Sequence, residues 1–268
     1  MLDLQSLQPR LLRLSVFFWA GVVLVFLLLP SIYLFMWSVM GTGTVGILGH
    51  PTSRWFVQIV RDPGWWKSFG YSIVLALLSS TLSLVSCLLY FYFSIWRKRA
   101  YQAVGYGLLV GPLVLPTVVY ALALRIAFSS HGSPEYLPLV LGHIALLYPV
   151  QYFILESGNE LLKTEWIYAS ATLGASHSET ITRVLWPVLR TPISLAFGIG
   201  LLFSFDEVVV AVFVIDSATA TVPKKMWDSI NRQMDPTPAV IATLLFLLTV
   251  MTVILAWLNT RRRRGPEA

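Results

Sequence analysis

Six long apolar runs restrict this chain more than any other feature. They cover residues 16–40, 68–96, 100–124, 136–155, 191–215 and 236–260, and five of them contain no Asp, Glu, Lys or Arg. Core helices of water-soluble proteins give apolar runs of about 10 to 14 residues, whereas a helix that crosses a bilayer needs roughly 20. Lipid-facing strands would show about ten residues of alternating polarity, and these runs do not alternate. A helix satisfies its own backbone N–H and C=O groups in hydrocarbon, so helices are the physical choice.

Composition agrees. With 56% hydrophobic and 12% charged residues over 268 positions, and a mean hydropathy of +0.72, the chain has too little polar surface to enclose a water-soluble core. The expected fold is an all-α integral membrane protein, one transmembrane domain over residues 1–268. Its six spans fall at about 14–40, 69–96, 103–128, 136–156, 191–215 and 236–259, with a long loop at 157–190.

Orientation follows from Lys and Arg near the span ends. Arg10 and Arg13, then Arg97, Lys98 and Arg99, then Lys163, Arg183 and Arg190, and finally Arg261 to Arg264 make twelve on one side. Arg54, Arg61, Lys67, Lys224, Lys225 and Arg232 make six on the other. Both termini are therefore expected in the cytoplasm. The net charge of +6 reads as a topology signal and a preference for anionic lipid at the membrane surface, not as a nucleic-acid footprint. The first run is about twice the length of a signal-peptide core and no small-x-small cleavage site follows Pro30, so it is read as a retained helix. Cys87 is the single cysteine, which excludes an internal disulfide and suits a small buried hydrophobe.

The external connections are less decisive. Residues 41–67 begin GTGTVG and end RDPGWWK, with Trp55, Trp65 and Trp66 suited to the headgroup layer. The SSHGSPE connection makes the third and fourth spans a tight hairpin. In DSATATVPKKMWDSINRQMD, Met226, Trp227 and Ile230 fall on neighbouring faces of a short amphipathic helix around residues 223–232. A partner-docking surface and a solvated connector fit that spacing equally.

The cytoplasmic loop, ESGNELLKTEWIYASATLGASHSETITRVLWPVLR, is organised. Leu161, Leu162, Ile167 and Leu173 recur at helical spacing, Gly174 supplies a left-handed stop, and Ser176 with Glu179 forms a capping box for a second helix. Pro187 marks the start of the fifth span. A helix-turn-helix at the cytoplasmic face needs cover for its remaining apolar side, which implies a separate cytoplasmic subunit.

YASATLGASHSETITRVLWP resembles the EAA loop of ABC-importer permeases, in which Glu-Ala-Ala is followed by three residues, Gly, nine residues and Ile-x-Leu-Pro. Tyr168, Ala169 and Ser170 take the Glu-Ala-Ala places, Gly174 is the motif glycine followed by Ala175, and Val184, Trp186 and Pro187 take the ending. Tyr168, Ser170 and Trp186 depart from the pattern while the spacing is kept. FSFDEVVVAVF, then TVPKKMWDSI and a last apolar span, is similar to the permease subunits of spermidine/putrescine importers and of importers of other small amino compounds, amino acids and aminophosphonates among them. The resemblance implies a type I importer fold and ATPase coupling through Tyr168, Ala169, Ser170, Gly174, Ala175 and Pro187. It also implies a second permease subunit, a related but different chain, two ATPase subunits carrying ATP and Mg, an extracytoplasmic solute-binding protein, and a place in the bacterial inner membrane.

No GxxxxGK[ST], HExxH or GxSxG segment is present, and His50, His131, His143 and His177 lack metal-ligand spacing. The chain is read as a non-enzyme that carries no cofactor or metal. For His143, inside the fourth span, a hydrogen bond to a neighbouring helix is expected; His177 is expected at the surface or an ATPase interface. Pro112 and Pro116 in VGPLVLPTVVYAL read either as a hinge or as tolerated kinks.

Asp206 and Glu207 are the charged pair within the fifth run. A carboxylate at the centre of a membrane helix costs about 2.5 to 3.5 kcal/mol on insertion scales, so the pair must face protein, water or a counter-ion. Counting from Arg190, Asp206 lies about 24 Å into the membrane, in its outer half, at the expected height of Arg125. In a continuous helix adjacent residues point about 100° apart. Either one carboxylate lines the substrate path while the other pairs with Arg125 or a partner group, or both are structural. A secondary transporter is the rival class, but it would show repeated halves with paired broken helices, and no such repeat is evident.

Overall fold

The computed structural model describes residues 4–42, 49–96, 107, 109, 111–112, 114–129, 134, 136–159, 162–232 and 235–263. The expectations placed on Arg97, Lys98, Arg99, His131, Leu161, Arg264 and most of the GTGTVG segment lie outside them. The elements are α1 (Leu4–Met40), α2 (Arg54–Arg61), α3 (Pro63–Trp96), α4 (Thr117–Ser129), α5 (Tyr136–Asn159), α6 (Thr164–Thr172), α7 (His177–Thr180), a π-helical turn (Ile181–Leu185), α8 (Trp186–Asp206), α9 (Val209–Val214), α10 (Val222–Arg232) and α11 (Thr237–Arg263). Among the described residues five helices are long and apolar enough to cross a membrane, at Ser15–Met40, Pro63–Phe93, Tyr136–Gly158, His177–Asp206 and Thr237–Asn259, and Thr117–Ser129 is a shorter apolar helix.

The chain divides into two compact units. The first, Met1–Asp62 with Asp228–Ala268, is built on α1 packed against α11, with α2 also resting on α11. Phe17, Trp19, Phe26, Leu255 and Trp257 stay exposed, as lipid-facing side chains do. The indole of Trp55 is buried and donates to the carbonyl of Gly41 at 2.8 Å.

The second unit, Pro63–Trp227, has α3, α5 and α8 in mutual contact, and α9 against α4 and α5. One apolar cluster joins Leu84, Cys87, Phe91, Tyr148, Tyr152, Leu155 and Ala196. A second joins Leu75, Ala121, Leu139, Val210, Ala211, Val214 and Ile215. Between them Gln151 is fully buried, its amide shared among the Ser80 carbonyl and hydroxyl and the Ala196 carbonyl at 3.0 to 3.3 Å. One glutamine thus ties three helices where hydrocarbon offers no alternative partner.

Several boundaries differ from the sequence reading, each for a local reason. The helix that carries the fifth apolar run does not begin at residue 191: it runs unbroken from His177, about 45 Å at 1.5 Å per residue. Pro187 has no N–H to continue the ladder, and the preceding π turn, in which Trp186 N–H reaches back to Ile181 O, absorbs the shift in register. Nor is that run one helix to residue 215, because the helix stops at Asp206 and a new one starts at Val209. The third run is interrupted at Leu115 and Pro116, so α4 starts after the second proline. Trp65 is 3% exposed beneath Lys225, whose Nζ lies 4.5 Å from the ring centroid; Trp55 is buried too, and Trp66 alone of the three is exposed. The short helix expected near residues 223–232 is α10.

Candidate functional site

Two places in the second unit carry the residues that the sequence singles out. The first is the break between α8 and α9. Asp206 is the last residue of α8; Glu207 then turns extended, with φ −69° and ψ 113°, and α9 begins at Val209. Val208, Val209 and Val210 are weak helix formers, and Glu207 offers the backbone a competing acceptor. Its Oε1 takes the N–H of Val210 at 3.0 Å, which caps the short helix that follows.

The break removes the premise that the two carboxylates sit on one helix. Asp206 is exposed, and no hydrogen bond or ion pair engages it among the described residues; Glu207 is partly buried and engaged by backbone. Arg125 is not paired with either carboxylate. Its Nη1 donates to the carbonyl of Phe213 at 3.0 Å, in the last turn of α9. The counter-ion geometry expected from equal depth is replaced by a helix-end contact, because an unpaired carbonyl at the end of α9 is available to the guanidinium.

Two residues before Asp206, the hydroxyl of Ser204 lies 2.8 Å from Nδ1 of His143 on α5, both side chains buried. The expected interhelical hydrogen bond of His143 is present. Its partner was not legible, since a serine in an apolar helix carries no signal of which helix it faces. One residue earlier on α5, Gly142 meets α9 so closely that an added Cβ would lie 2.7 Å from Val210 Cγ1.

The second place is the turn between α6 and α7. Gly174 has φ +81°, the left-handed conformation that its lack of a Cβ allows, and Ala175 N–H returns to Ser170 O at 3.0 Å. Ser176 and Glu179 form both halves of the capping box. The Glu179 carboxyl is held below the usual carboxylate range by the Ser176 N–H, then by the Ser176 hydroxyl, and then by Arg183 at 3.9 Å. Ser170 is buried and its hydroxyl lies 2.9 Å from Thr180 Oγ1, so the departure from alanine at that position fastens α6 to α7. Tyr168 and Ala169 point outward from α6, and Pro187 is exposed on α8. Tyr168 is 59% exposed and Leu173 is 86% exposed, with Trp166 and Trp186 also open.

Residues 89–264 match the family described as "Binding-protein-dependent transport system inner membrane component". The chain belongs to this family. It is a permease subunit of an ABC importer and a multi-pass inner membrane protein. It is similar to the spermidine/putrescine transport system permease protein PotC of Escherichia coli (strain K12), 24% identical over 216 residues that cover 78% of this chain and 80% of that one. It is also similar to the putrescine transport system permease protein PotI of the same organism, 22% identical over 240 residues, 87% of this permease and 85% of the relative. A bacterial ABC transporter involved in the import of the acidic polysaccharide alginate shares the fold, with a TM-score of 0.67 at 14% identity over 95% of this permease and 97% of that chain. An amino acid ABC transporter solved with histidines shares it at a TM-score of 0.58 and 16% identity, over 78% and 98%.

Proposed function

We propose that this permease subunit forms one side of the translocation path of an ATP-driven polyamine importer, and that Asp206 is the carboxylate its cationic substrate meets. The supporting observation is the division of labour at the break: Glu207 is occupied by the Val210 N–H, while Asp206 is exposed and unengaged. An unpaired carboxylate in a membrane protein is tolerated where it faces water, and there it attracts and briefly solvates an amine. The similarity to PotC and PotI supports polyamine as the substrate class.

The cytoplasmic turn receives an ATPase subunit. Tyr168, Ala169 and the exposed Leu173 present the docking face, while Ser170, Gly174, Ala175 and the capping box keep the turn rigid. From there α7, the π turn and α8 form one rod that ends at Asp206, so displacement of the turn reaches the acidic break directly. A second permease subunit, related but different, completes the path. Two ATPases hold ATP and Mg, and a solute-binding protein delivers substrate on the face opposite the two termini, which lie in the cytoplasm.

The experiment is to purify the permease with its associated subunits and binding protein and to measure ATPase stimulation by a panel of amines. Spermidine or putrescine should stimulate hydrolysis, and Asp206→Asn should abolish the response while Glu207→Gln keeps part of it. Stimulation by neutral amino acids alone would overturn the substrate class.

A further inference from the structure

We propose that Arg125 is a positioning residue for the acidic centre: it braces α9 from one end while Glu207 braces it from the other, and the braced helix holds the break that presents Asp206. The inference rests on the transport reading above for its consequence, though not for its geometry.

Helix α9 has six residues, Val209–Val214. A helix that short does not hold itself in shape, and each end leaves backbone groups that need partners. In a membrane those partners cannot come from lipid. Glu207 supplies an acceptor at the N-terminal end through Val210 N–H, and Arg125 supplies a donor at the C-terminal end through Phe213 O, both at 3.0 Å. A negative charge at the first turn and a positive charge at the last also complement the helix dipole. Along its length, Val210, Ala211 and Val214 bury one face against Ala121, Leu75 and Leu139. The apolar face sets which way α9 turns, and the two charges set where it sits along its axis.

Arg125 belongs to α4, 88 residues away in sequence from Phe213, and α4 starts immediately after the interruption at Leu115 and Pro116. The guanidinium therefore couples two interrupted segments. Any shift of α4 about Pro116 is passed to α9, and through Glu207 to the orientation of Asp206.

The test uses the assembled importer in proteoliposomes, in a Cys87→Ser background carrying Val212→Cys on α9, with the alkylation rate of that thiol as the readout. Arg125→Gln should raise the rate about tenfold, the range expected when one charge-assisted hydrogen bond is lost, and Arg125→Lys should restore it to within about twofold. Glu207→Ala should raise it more than Glu207→Gln, which keeps an acceptor, and Asp206→Asn should leave it unchanged. In uptake assays Arg125→Gln should raise KM for the amine more than it lowers kcat. An unchanged alkylation rate in Arg125→Gln, or no rescue by lysine, overturns the brace. Should Arg125→Gln fail to assemble, the Glu207 series decides: equal rates for Ala and Gln overturn it. The alkylation pattern without amine uptake by the unsubstituted importer would sink the transport reading and leave the brace standing.

Discussion

His143 Nδ1 and Ser204 Oγ share a 2.8 Å hydrogen bond in the buried seam between α5 and α8, one half-turn before the acidic break. Each is the other's partner, so removing either strands a buried polar group. His143→Leu and Ser204→Ala should each destabilise the permease by about 1 to 3 kcal/mol, and the double variant should cost less than the sum by about 1 kcal/mol. Reversible denaturation of the four proteins in detergent reads that coupling, and additive losses would show that the contact contributes nothing.

Gly142→Ala places a methyl 2.7 Å from Val210 Cγ1, closer than packed carbons come. The strain falls on α9, so uptake should drop severalfold with the protein still present in the membrane. Val210→Ala on top of Gly142→Ala should restore most of the activity, since it opens the space that the new methyl needs. Failure of that second substitution to restore uptake would mean that α9 is not where the strain lands.

Gly174 lies at φ +81° with open space around the position of a Cβ, so the objection to a side chain there is conformational. Gly174→Ala should cost the turn about 1 to 2 kcal/mol. Uncoupling is the expected phenotype: substrate-stimulated ATP hydrolysis falls while the amount of assembled permease does not. Gly174→Asn, which tolerates the left-handed region better, should retain more coupling than alanine.

The capping box predicts an acid-side loss of local order. Because the folded-state pKa of Glu179 is lowered, its contribution is fully present above the ordinary carboxylate value and disappears as pH falls through the lowered one. Amide exchange at Ser176 and Glu179, corrected for intrinsic rates, should keep its protection from neutral into mildly acid solution and lose it below. Glu179→Gln should flatten that dependence, and Ser176→Ala should cost about 1 kcal/mol of helix stability at neutral pH.

Much of this architecture is visible in the sequence because a bilayer imposes long apolar runs, and because turn chemistry is local. Gly174, Ser176 and Glu179 announce the turn between α6 and α7 within six residues, and α10 follows from the amphipathic spacing of Met226, Trp227 and Ile230. What escapes a linear reading depends on partners far along the chain. Nothing beside Trp65 in the sequence announces that Lys225 covers it. The run around Asp206 looks like one helix because it is apolar on both sides; its interruption is held by Arg125 on a different helix. Equal depth suggested an ion pair between Arg125 and the acidic pair, but depth carries no information about whether a guanidinium finds a carboxylate or a carbonyl.

The most direct measurement is spermidine uptake into proteoliposomes that contain this permease with its co-purified subunits and binding protein, with and without internal ATP, for the unsubstituted protein and for Asp206→Asn. The account predicts uptake that requires ATP and is lost, about tenfold or more, when the charge of Asp206 is removed, since a contact between the carboxylate and the amine at an effective dielectric constant of about 20 is worth at least that factor. Uptake driven by an ion gradient in the absence of ATP, or ATP-driven uptake that is indifferent to Asp206→Asn, would contradict it.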